Sequence, residues 1–312
     1  MAPFDLQLNG YAGVDFNADA LALADLRRAC AAVRRDGGGR MLATVITAGL
    51  DHMAARISRL AELHEADPGV RAVLAGIHVE GPFISPLPGF VGAHPVAHVV
   101  PAAVPAARRL VEAGRGLVRI VTLAPEHDRG LTTTRWLRER GVVVSAGHCD
   151  PSLALLRDAA AAGLTCFTHL GNGCPLALHR HDNVIQRVLM TAELRWVTVI
   201  PDGVHVPPAI LADYIRRIGI DRAIAVTDAT AAGGMGPGRY ALAGREVVVG
   251  DDGAAWAADR SHLVGSTASM SAIRRVLASD VGLTAAEVDQ VTVVNPASAL
   301  GLSAAVTPAV GP

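Results

Sequence analysis

The sequence predicts an α/β protein, a single-domain (β/α)8 TIM barrel that spans residues 1–312. Short apolar runs alternate with amphipathic stretches eight times, which is typical of parallel strands joined by helices, and eight such strands close a barrel. The length of 312 residues suits one domain of this kind. Hydrophobic residues make up 51% of the chain and charged residues only 18%, which provides material for an extensive core. A doubly wound open sheet is the alternative.

Each predicted strand is a short run of branched or small apolar residues that ends in a turn signal. In chain order the runs lie at residues 6–8, 41–46, 73–79, 118–123, 142–146, 165–168, 197–200 and 223–227. The predicted helices between them include residues 21–35, 53–65, 103–113, 132–140 and 153–162. Ser152 and Gly163 favour the start and the end of the last of these helices. Beyond residue 227 we expect a hairpin at 240–242 and 246–249, then helical stretches at 267–278 and 285–291.

The charge balance and the cysteine content exclude several classes of protein. Twenty-eight basic and twenty-nine acidic residues nearly cancel, and no basic stripe indicates a nucleic-acid partner. The four cysteines form no C-x-x-C pair, so we expect free thiols in a cytoplasmic protein. The N-terminus lacks the pattern of a signal peptide, and no stretch approaches 18 uninterrupted apolar residues, so no membrane span is expected.

Three chemically distinctive residues follow strand-like runs. Glu80, His148 and His169 each come directly after such a run, and parallel neighbouring strands would bring them together at the carboxyl edge of the sheet. Two neutral imidazoles and one carboxylate, with a fourth position left open, are the ligands of a catalytic zinc-type site. The sequence therefore predicts a metal-dependent hydrolase.

Two further residues are predicted to take part in the chemistry. Asp228 follows the eighth strand, where it can accept a proton from a metal-activated water and later deliver it to a leaving nitrogen. A role as a metal ligand is the alternative for Asp228. His94, in the segment Gly92–Pro95, is positioned to polarise a substrate carbonyl.

Residues after strands six and seven are predicted to bind the substrate. Asn172 and Gly173 offer hydrogen-bond donors without bulk, which suits an oxyanion or a sugar phosphate. The guanidinium of Arg180 suits a phosphate or a carboxylate. Asp202 and His205, which follow strand seven, complete the candidate rim.

Eight motifs occur in order along almost the whole chain, and together they are far more specific than any one of them. They are HVEGPF, GAHP, TLAPE, VSAGH, THLGNG, PDGVHV, VTDAT and LVGSTASM. This ordered set resembles the N-acetylglucosamine-6-phosphate deacetylase family of the amidohydrolase superfamily. The resemblance implies a (β/α)8 barrel, a divalent metal and hydrolysis of an N-acetyl amide to acetate and an amino-sugar phosphate. It also implies a homodimer.

The resemblance assigns roles residue by residue. Glu80, His148 and His169 match the family's ligands for one divalent ion per subunit, with Zn²⁺ the first expectation and Fe²⁺ the alternative. Asp228 matches the catalytic acid/base, and His94 matches the histidine near the substrate amide. The matched substrate contacts are Asn172, Gly173, Arg180, His205, Val264, Gly265 and Ser266.

The first strand carries a further sign of a one-metal site. Gln7 and Asn9 stand where many amidohydrolases carry His-x-His. The family shares this substitution, which removes two ligands that a second metal would need. We therefore expect one metal per subunit.

The chain also departs from the family's pattern. Gly171 stands where an aromatic residue is usual, and His181, Asp182 and Asn183 replace the usual Glu-Pro-Gly after Arg180. The family's small accessory β-domain is expected to be absent, which would leave a bare barrel that dimerises through the exposed face. The departures keep two alternatives open, namely a deacetylase of an unphosphorylated N-acetyl sugar or other N-acyl compound, and a non-catalytic sugar-phosphate binding barrel.

Overall fold

The computed structural model of the protein describes residues 2–302 and shows an eight-stranded parallel sheet. In chain order the strands are β1 (Phe4–Leu8), β2 (Gly10–Tyr11), β3 (Val14–Asp15), β4 (Arg40–Ile46), β5 (Leu74–Glu80), β6 (Val118–Leu123), β7 (Val143–Ala146), β8 (Leu164–Phe167), β9 (Trp196–Val199), β10 (Ala223–Ala225), β11 (Gly238–Leu242), β12 (Arg245–Val249) and β13 (Ala255–Ala257). The parallel sheet has the order β1-β4-β5-β6-β7-β8-β9-β10. Neighbours in this sheet therefore follow one another in the chain, with only β2 and β3 inserted.

Backbone hydrogen bonds between the first and last strands close the sheet into a barrel. The N–H of Asp228, just beyond β10, donates to the carbonyl of Gln7 at 2.9 Å. The N–H of Asn9 donates to the carbonyl of Ala229 at 2.7 Å. These bonds place the chain after β10 beside the end of β1, so the carboxyl ends of all eight strands share one rim.

Helices cross between the strands and cover the outside of the barrel. They are α1 (Leu23–Arg35), α2 (Leu50–Ala66), α3 (Pro68–Arg71), α4 (Val104–Ala113), α5 (Thr132–Arg138), α6 (Leu153–Ala162), α7 (Val184–Leu189), α8 (Pro208–Ile218), α9 (Met270–Ser279), α10 (Ala285–Asp289) and α11 (Asn295–Ala299). Helix α6 shows how the sequence sets their limits. The Ser152 hydroxyl accepts from the N–H of Leu155, and Gly163 ends the helix with a φ of +116° that disfavours other residues.

A polar layer lies among the strands beneath the carboxyl rim. His78 Nε2 is 2.7 Å from the Thr122 hydroxyl, which is 2.8 Å from the Thr168 hydroxyl. The Ser145 hydroxyl extends the chain at 2.7 Å from Thr168. Because each member has a partner, this buried layer joins β5, β6 and β7 to the end of β8 without leaving these polar groups unpaired.

A small antiparallel sheet packs beside the rim. Strands β11, β12 and β13 form it, and their apolar face contacts Ile46 at the end of β4 and Ala93 in the loop after β5. The hairpin predicted at residues 240–249 is confirmed. The third strand, β13, was not predicted, because its three residues carry no alternating pattern.

The barrel prediction is confirmed, and the open sheet is not the fold of this chain. All eight predicted barrel strands are present, with bounds that differ by two residues or fewer from those expected. None of the helices within residues 2–302 is long and apolar enough to cross a membrane. The single domain over residues 1–312 stays a prediction, because residue 1 and residues 303–312 lie outside the described part of the chain.

Candidate metal centre and active site

The three predicted metal ligands meet at the carboxyl rim of the barrel. Glu80 is the last residue of β5, whereas His148 and His169 each lie two residues beyond the ends of β7 and β8. Glu80 Oε1 lies 3.0 Å from His169 Nε2 and 3.4 Å from His148 Nε2, and the two Nε2 atoms are 3.2 Å apart. All three side chains are at most 7% exposed. The structure therefore holds three ligand atoms in one compact, buried triangle.

The donor set fits a divalent cation in size and in chemistry. Metal–ligand bonds of about 2.0–2.1 Å in a tetrahedral site place neighbouring ligand atoms about 3.3 Å apart, close to the observed separations. His148 Nδ1 lies 2.8 Å from the carbonyl of Phe90, to which it can donate its proton. That bond leaves the Nε2 lone pair of His148 directed at the triangle, as metal-binding histidines require.

Left-handed backbone conformations present the ligands to the cleft. His148 has a φ of +52°, His169 a φ of +36° and Asp228 a φ of +49°. Residues other than glycine rarely adopt this region, and such strained positions concentrate at functional sites. At three strand ends the chain thus turns sharply and directs a functional side chain toward the rim.

The Glu80 carboxylate and the His169 ring are electrostatically linked. Burial opposes ionisation of Glu80, but hydrogen bonds from His148 and His169 outweigh burial and hold the pKa of Glu80 well below its usual range. Burial also disfavours the charged form of His169, yet the Glu80 carboxylate outweighs burial and raises the pKa of His169. A cation and a proton therefore compete for the Nε2 lone pair of His169.

Asp228 lies beside the triangle and outside it. Asn9 Nδ2 donates to Asp228 Oδ1 at 2.7 Å, and Gln7 Nε2 donates to Glu80 Oε1 at 2.9 Å. Burial and the nearby Glu80 carboxylate raise the pKa of Asp228 to about 6. Gln7 and Asn9 therefore hold the two carboxyl groups of the site, a role that the sequence comparison with His-x-His did not predict.

His94 packs against the candidate ligand His148. The two ring centroids are 4.4 Å apart at an interplanar angle of 68°, and His94 Nδ1 lies 2.8 Å from the Thr47 hydroxyl. Burial, followed by the neighbouring His148, lowers the pKa of His94 to about 3. The His94 ring is therefore neutral near pH 7 and borders the candidate site.

The turn at Val264, Gly265 and Ser266 lies against Asp228. The N–H of Ser266 donates to the carbonyl of Asp228 at 2.9 Å, and the Ser266 hydroxyl donates to the carbonyl of Thr227 at 2.6 Å. A Cβ on Gly265 would lie 2.6 Å from the Asp228 carbonyl oxygen, so a larger residue there would displace one of the two segments. The structure thus brings all three predicted residues to the rim.

Asn172 and Gly173 stand next to the metal ligands. Asn172 Nδ2 donates to the carbonyl of His169 at 3.4 Å and ties down the turn after β8. Gly173 has a φ of +61°, and a Cβ there would lie 2.9 Å from Nδ1 of His148. Only glycine leaves room for the imidazole at that approach.

Asp202 and His205 form a buried pair, whereas Arg180 is exposed. His205 Nδ1 lies 2.6 Å from Asp202 Oδ2, and the pair buries both side chains. Burial opposes ionisation of Asp202, but His205 outweighs it and lowers the Asp202 pKa. Asp202 therefore orients His205. Arg180 lies in the exposed part of the loop after β8 and makes no ion pair among residues 2–302.

The fold and the rim define a class of protein. A (β/α)8 barrel with a buried carboxylate–imidazole–imidazole triangle and an adjacent carboxyl of raised pKa is the arrangement of a metal-dependent hydrolase. No protein-family model matches the chain. Individual known proteins do match it along nearly its whole length.

The chain is similar to deacetylases of phosphorylated N-acetyl amino sugars. It is 32% identical over 302 residues to N-acetylgalactosamine-6-phosphate deacetylase of Escherichia coli O157:H7, which covers 96% of this chain and 78% of that protein. It is 34% identical over 309 residues to N-acetylglucosamine-6-phosphate deacetylase of Homo sapiens, which covers 96% of this chain and 73% of that protein. The solved structure of N-acetyl-D-glucosamine-6-phosphate deacetylase from Mycobacterium smegmatis superposes with a TM-score of 0.87 at 33% identity, covering 97% of this chain and 78% of that one.

The chain therefore belongs to the N-acetylglucosamine-6-phosphate deacetylase family of the amidohydrolase superfamily. It is an enzyme, so the non-catalytic barrel considered from the sequence is set aside. The resemblance inferred from the eight motifs is confirmed.

Proposed function

We propose that the protein hydrolyses the N-acetyl amide of N-acetylglucosamine 6-phosphate to glucosamine 6-phosphate and acetate. The observation that carries this proposal is the buried triangle of Glu80, His148 and His169 with Asp228 beside it, in a member of this family. The three side chains would hold one divalent ion, Zn²⁺ in the first place and Fe²⁺ as the alternative. When bound, such an ion lowers the pKa of its water to roughly 7 and so supplies a nucleophile near neutral pH.

Asp228 carries the proton in the proposed reaction. As a carboxylate it accepts the proton of the attacking water, whose oxygen forms a bond to the amide carbon. As a carboxylic acid it then gives that proton to the amide nitrogen, and the carbon–nitrogen bond breaks. A pKa of about 6 suits both steps, because the group exchanges its proton near neutral pH. Asn9 holds Asp228 in place through the bond to Oδ1.

The remaining predicted residues bind the substrate. We assign His94 to the amide oxygen, and Val264, Gly265 and Ser266 to the sugar beside Asp228. We assign Arg180 and His205 to the phosphate, with Asp202 orienting His205 and with Asn172 and Gly173 contributing donors near the metal ligands. The buried Asp202–His205 pair supports the assignment of His205 to the phosphate, because it holds the imidazole in place.

An acetate-release assay on the metal-loaded protein tests the proposed function. Three substrates are compared by kcat/KM: N-acetylglucosamine 6-phosphate, its unphosphorylated sugar and N-acetylgalactosamine 6-phosphate. We expect the first to be preferred over the plain sugar by at least about tenfold, because a charge-assisted contact contributes about 1.5–3 kcal/mol. Equal values for the phosphorylated and plain sugars would overturn phosphate recognition. A preference for the galactosamine compound would assign the chain to the activity of its E. coli relative.

We also propose that the protein is a cytoplasmic homodimer. Large apolar side chains are exposed on three loops at the carboxyl rim, namely Leu87 after β5, Leu176 after β8 and Val204 after β9, and a second copy would cover them. All four cysteines are free thiols, which supports a reducing compartment. Light scattering that finds a monomer at micromolar concentration would contradict the dimer, and localisation of a tagged chain tests the compartment.

A further inference from the structure

Thr47, one residue beyond β4, contacts His94 with two of its atoms. Its hydroxyl oxygen lies 2.8 Å from His94 Nδ1, and its backbone nitrogen donates to the same Nδ1 at 3.4 Å. Thr47 is fully buried and His94 is 7% exposed. We propose that Thr47 fixes the tautomer of His94 in which Nε2 carries the proton, so that His94 acts as a hydrogen-bond donor toward the substrate amide oxygen. This inference rests on the proposed function, because the proposed substrate supplies the amide oxygen that accepts the hydrogen bond from Nε2.

The backbone N–H of Thr47 indicates which tautomer is present, and the shorter bond from the Thr47 hydroxyl holds the ring in it. A peptide N–H only donates, so the atom that it faces must keep a lone pair. Among residues 2–302 no other acceptor hydrogen-bonds this N–H. A proton on Nδ1 would set two N–H groups against each other and leave a buried donor unpaired, which is unfavourable. Because Nδ1 keeps its lone pair, the proton of the His94 ring lies on Nε2.

The hydroxyl of Thr47 reinforces this arrangement. Its oxygen also lies 3.4 Å from the carbonyl of Glu80, the longer of its two contacts. A proton on the hydroxyl can point to Nδ1 at 2.8 Å, which agrees with the bare nitrogen that the backbone contact requires. Gly81 leaves the space for this hydroxyl, because a Cβ at residue 81 would lie 2.1 Å from Thr47 Oγ1. Thr47 thus lies closely packed between Gly81 and His94.

The other nitrogen of His94 is free for a substrate. Nε2 hydrogen-bonds no group within residues 2–302, and it is not among the fully enclosed polar atoms. When water adds to an amide, negative charge develops on the amide oxygen, and a fixed N–H donor stabilises that charge. An imidazole that presents N–H cannot also accept the water's proton through that atom. With Nε2 protonated, proton transfer is therefore left to Asp228. Thr47 acts through His94 and is a positioning residue.

The test compares Thr47→Val, which replaces the hydroxyl with a methyl group of similar size, with Thr47→Ser, which keeps the hydroxyl. The zinc-loaded full chain carries ¹⁵N-histidine, and His94→Gln assigns the His94 signals by their loss. We expect wild-type Nδ1 to resonate as an unprotonated nitrogen and Nε2 as a protonated one. Thr47→Val should lower kcat for acetate release about tenfold with KM within about twofold, in line with losses of 10–100-fold for residues that orient a functional group. It should also broaden or shift the His94 Nδ1 signal, while Thr47→Ser stays near wild type in both measurements.

Two results would overturn the inference. One is a wild-type His94 protonated on Nδ1, and the other is a Thr47→Val variant with unchanged kcat. Zinc content, measured for every variant, shows whether a lost activity reflects lost metal. If the expected tautomer is found but no N-acetyl sugar phosphate is hydrolysed, the proposed substrate fails while the tautomer stands. The two failures are therefore distinguishable.

Discussion

The three candidate metal ligands and the loop that carries Arg180 are held in very different ways. Glu80, His148 and His169 are almost completely buried, lie at the ends of strands and contact one another directly. Arg180 lies on an exposed stretch between β8 and α7 and has no ion-pair partner among the described residues. Strand ends inherit their geometry from the barrel, whereas a loop must build its own. The fold therefore fixes the positions of the residues proposed for the reaction more firmly than the position of Arg180, which is proposed to bind the substrate.

The loop that carries Arg180 is held by hydrogen bonds among its own residues and to α7. His179 Nδ1 accepts from the N–H of Asp182 at 2.9 Å, and Asn183 Nδ2 donates to the carbonyl of His179 at 2.8 Å. The guanidinium of Arg187 in α7 donates to the Asp182 carboxylate at 2.6 Å and to the carboxylate of Asp150, after β7, at 2.7 Å. These bonds hold the loop locally, and Arg180 remains exposed to solvent.

The largest effect is expected from removing a ligand. His169→Ala deletes one corner of the triangle and removes the imidazole nearest to Glu80, so we expect loss of the metal and at least about a 10³-fold loss of kcat, since a metal contributes several kcal/mol to such reactions. Elemental analysis and the acetate assay measure the two losses. His181→Ala, an exposed histidine on the Arg180 loop, is the matched control and should retain its metal. A metal-replete His169→Ala protein would contradict the assignment of His169.

The next effect separates metal binding from proton transfer. Asp228→Asn keeps the shape and removes the exchangeable proton, so kcat should fall by about 10²–10⁴ while metal content stays at the wild-type level. In the wild type, the raised pKa means that the carboxylate form needed for the first step is lost as the pH falls through about 6. The kcat/KM of the wild type should therefore decrease as the pH falls below about 6. Loss of metal in Asp228→Asn would instead support the alternative that Asp228 is a ligand.

A smaller and more selective effect is expected on the loop. Arg180→Met removes a cation that makes no internal ion pair, so stability should hold while kcat/KM for the phosphorylated sugar falls about 10–100-fold, the equivalent of about 1.5–3 kcal/mol. The plain sugar should be hydrolysed as by the wild type. Arg129→Met, on the exposed loop after β6, serves as a control for the loss of one surface charge. An equal loss on both sugars would place Arg180 outside phosphate recognition.

The smallest effect on turnover is expected from a strand-borne carboxyl that is not a ligand. Burial raises the pKa of Asp5 to about 7, and its oxygens accept from the N–H groups of Gln7 and Thr227 and contact the Thr227 hydroxyl. Because the folded-state pKa exceeds the unfolded value of 3.8, the folded state binds more protons between about pH 4 and pH 7. The contribution of Asp5 to stability therefore falls as the pH rises through that window, by at most about 4 kcal/mol.

Asp5→Asn mimics the protonated form at every pH. Relative to the wild type it should be more stable at pH 8 and equally stable near pH 4, with unchanged metal content and kcat. Urea denaturation at the two pH values measures the difference. A variant that is less stable than the wild type at pH 8 would contradict a folded-state pKa of Asp5 that is raised by burial.

The sequence predicted the strand ends well because the strands are almost entirely buried. Strand Val118–Leu123 and the candidate ligands at the end of β5 and just beyond β7 and β8 follow from apolar runs that end abruptly, a pattern that tertiary contacts reinforce. The roles of Gln7 and Asn9 were missed, because a bond between the first strand and Glu80 or Asp228 exists only once the barrel closes. Thr47 was missed for the same reason, since 47 residues separate it from His94.

The left-handed backbone at His148, His169 and Asp228 has a consequence for handling the enzyme. Backbone bonds from Ser85 to the His148 carbonyl, from Asn172 to the His169 carbonyl and from Ser266 to the Asp228 carbonyl hold these turns. These three bonds are made by the polypeptide itself, so we expect the turns to persist when the ion is removed. After the cation is removed by a chelator, the protein should therefore still unfold cooperatively on heating, although it is inactive. Full turnover should return within the mixing time when the cation is added back.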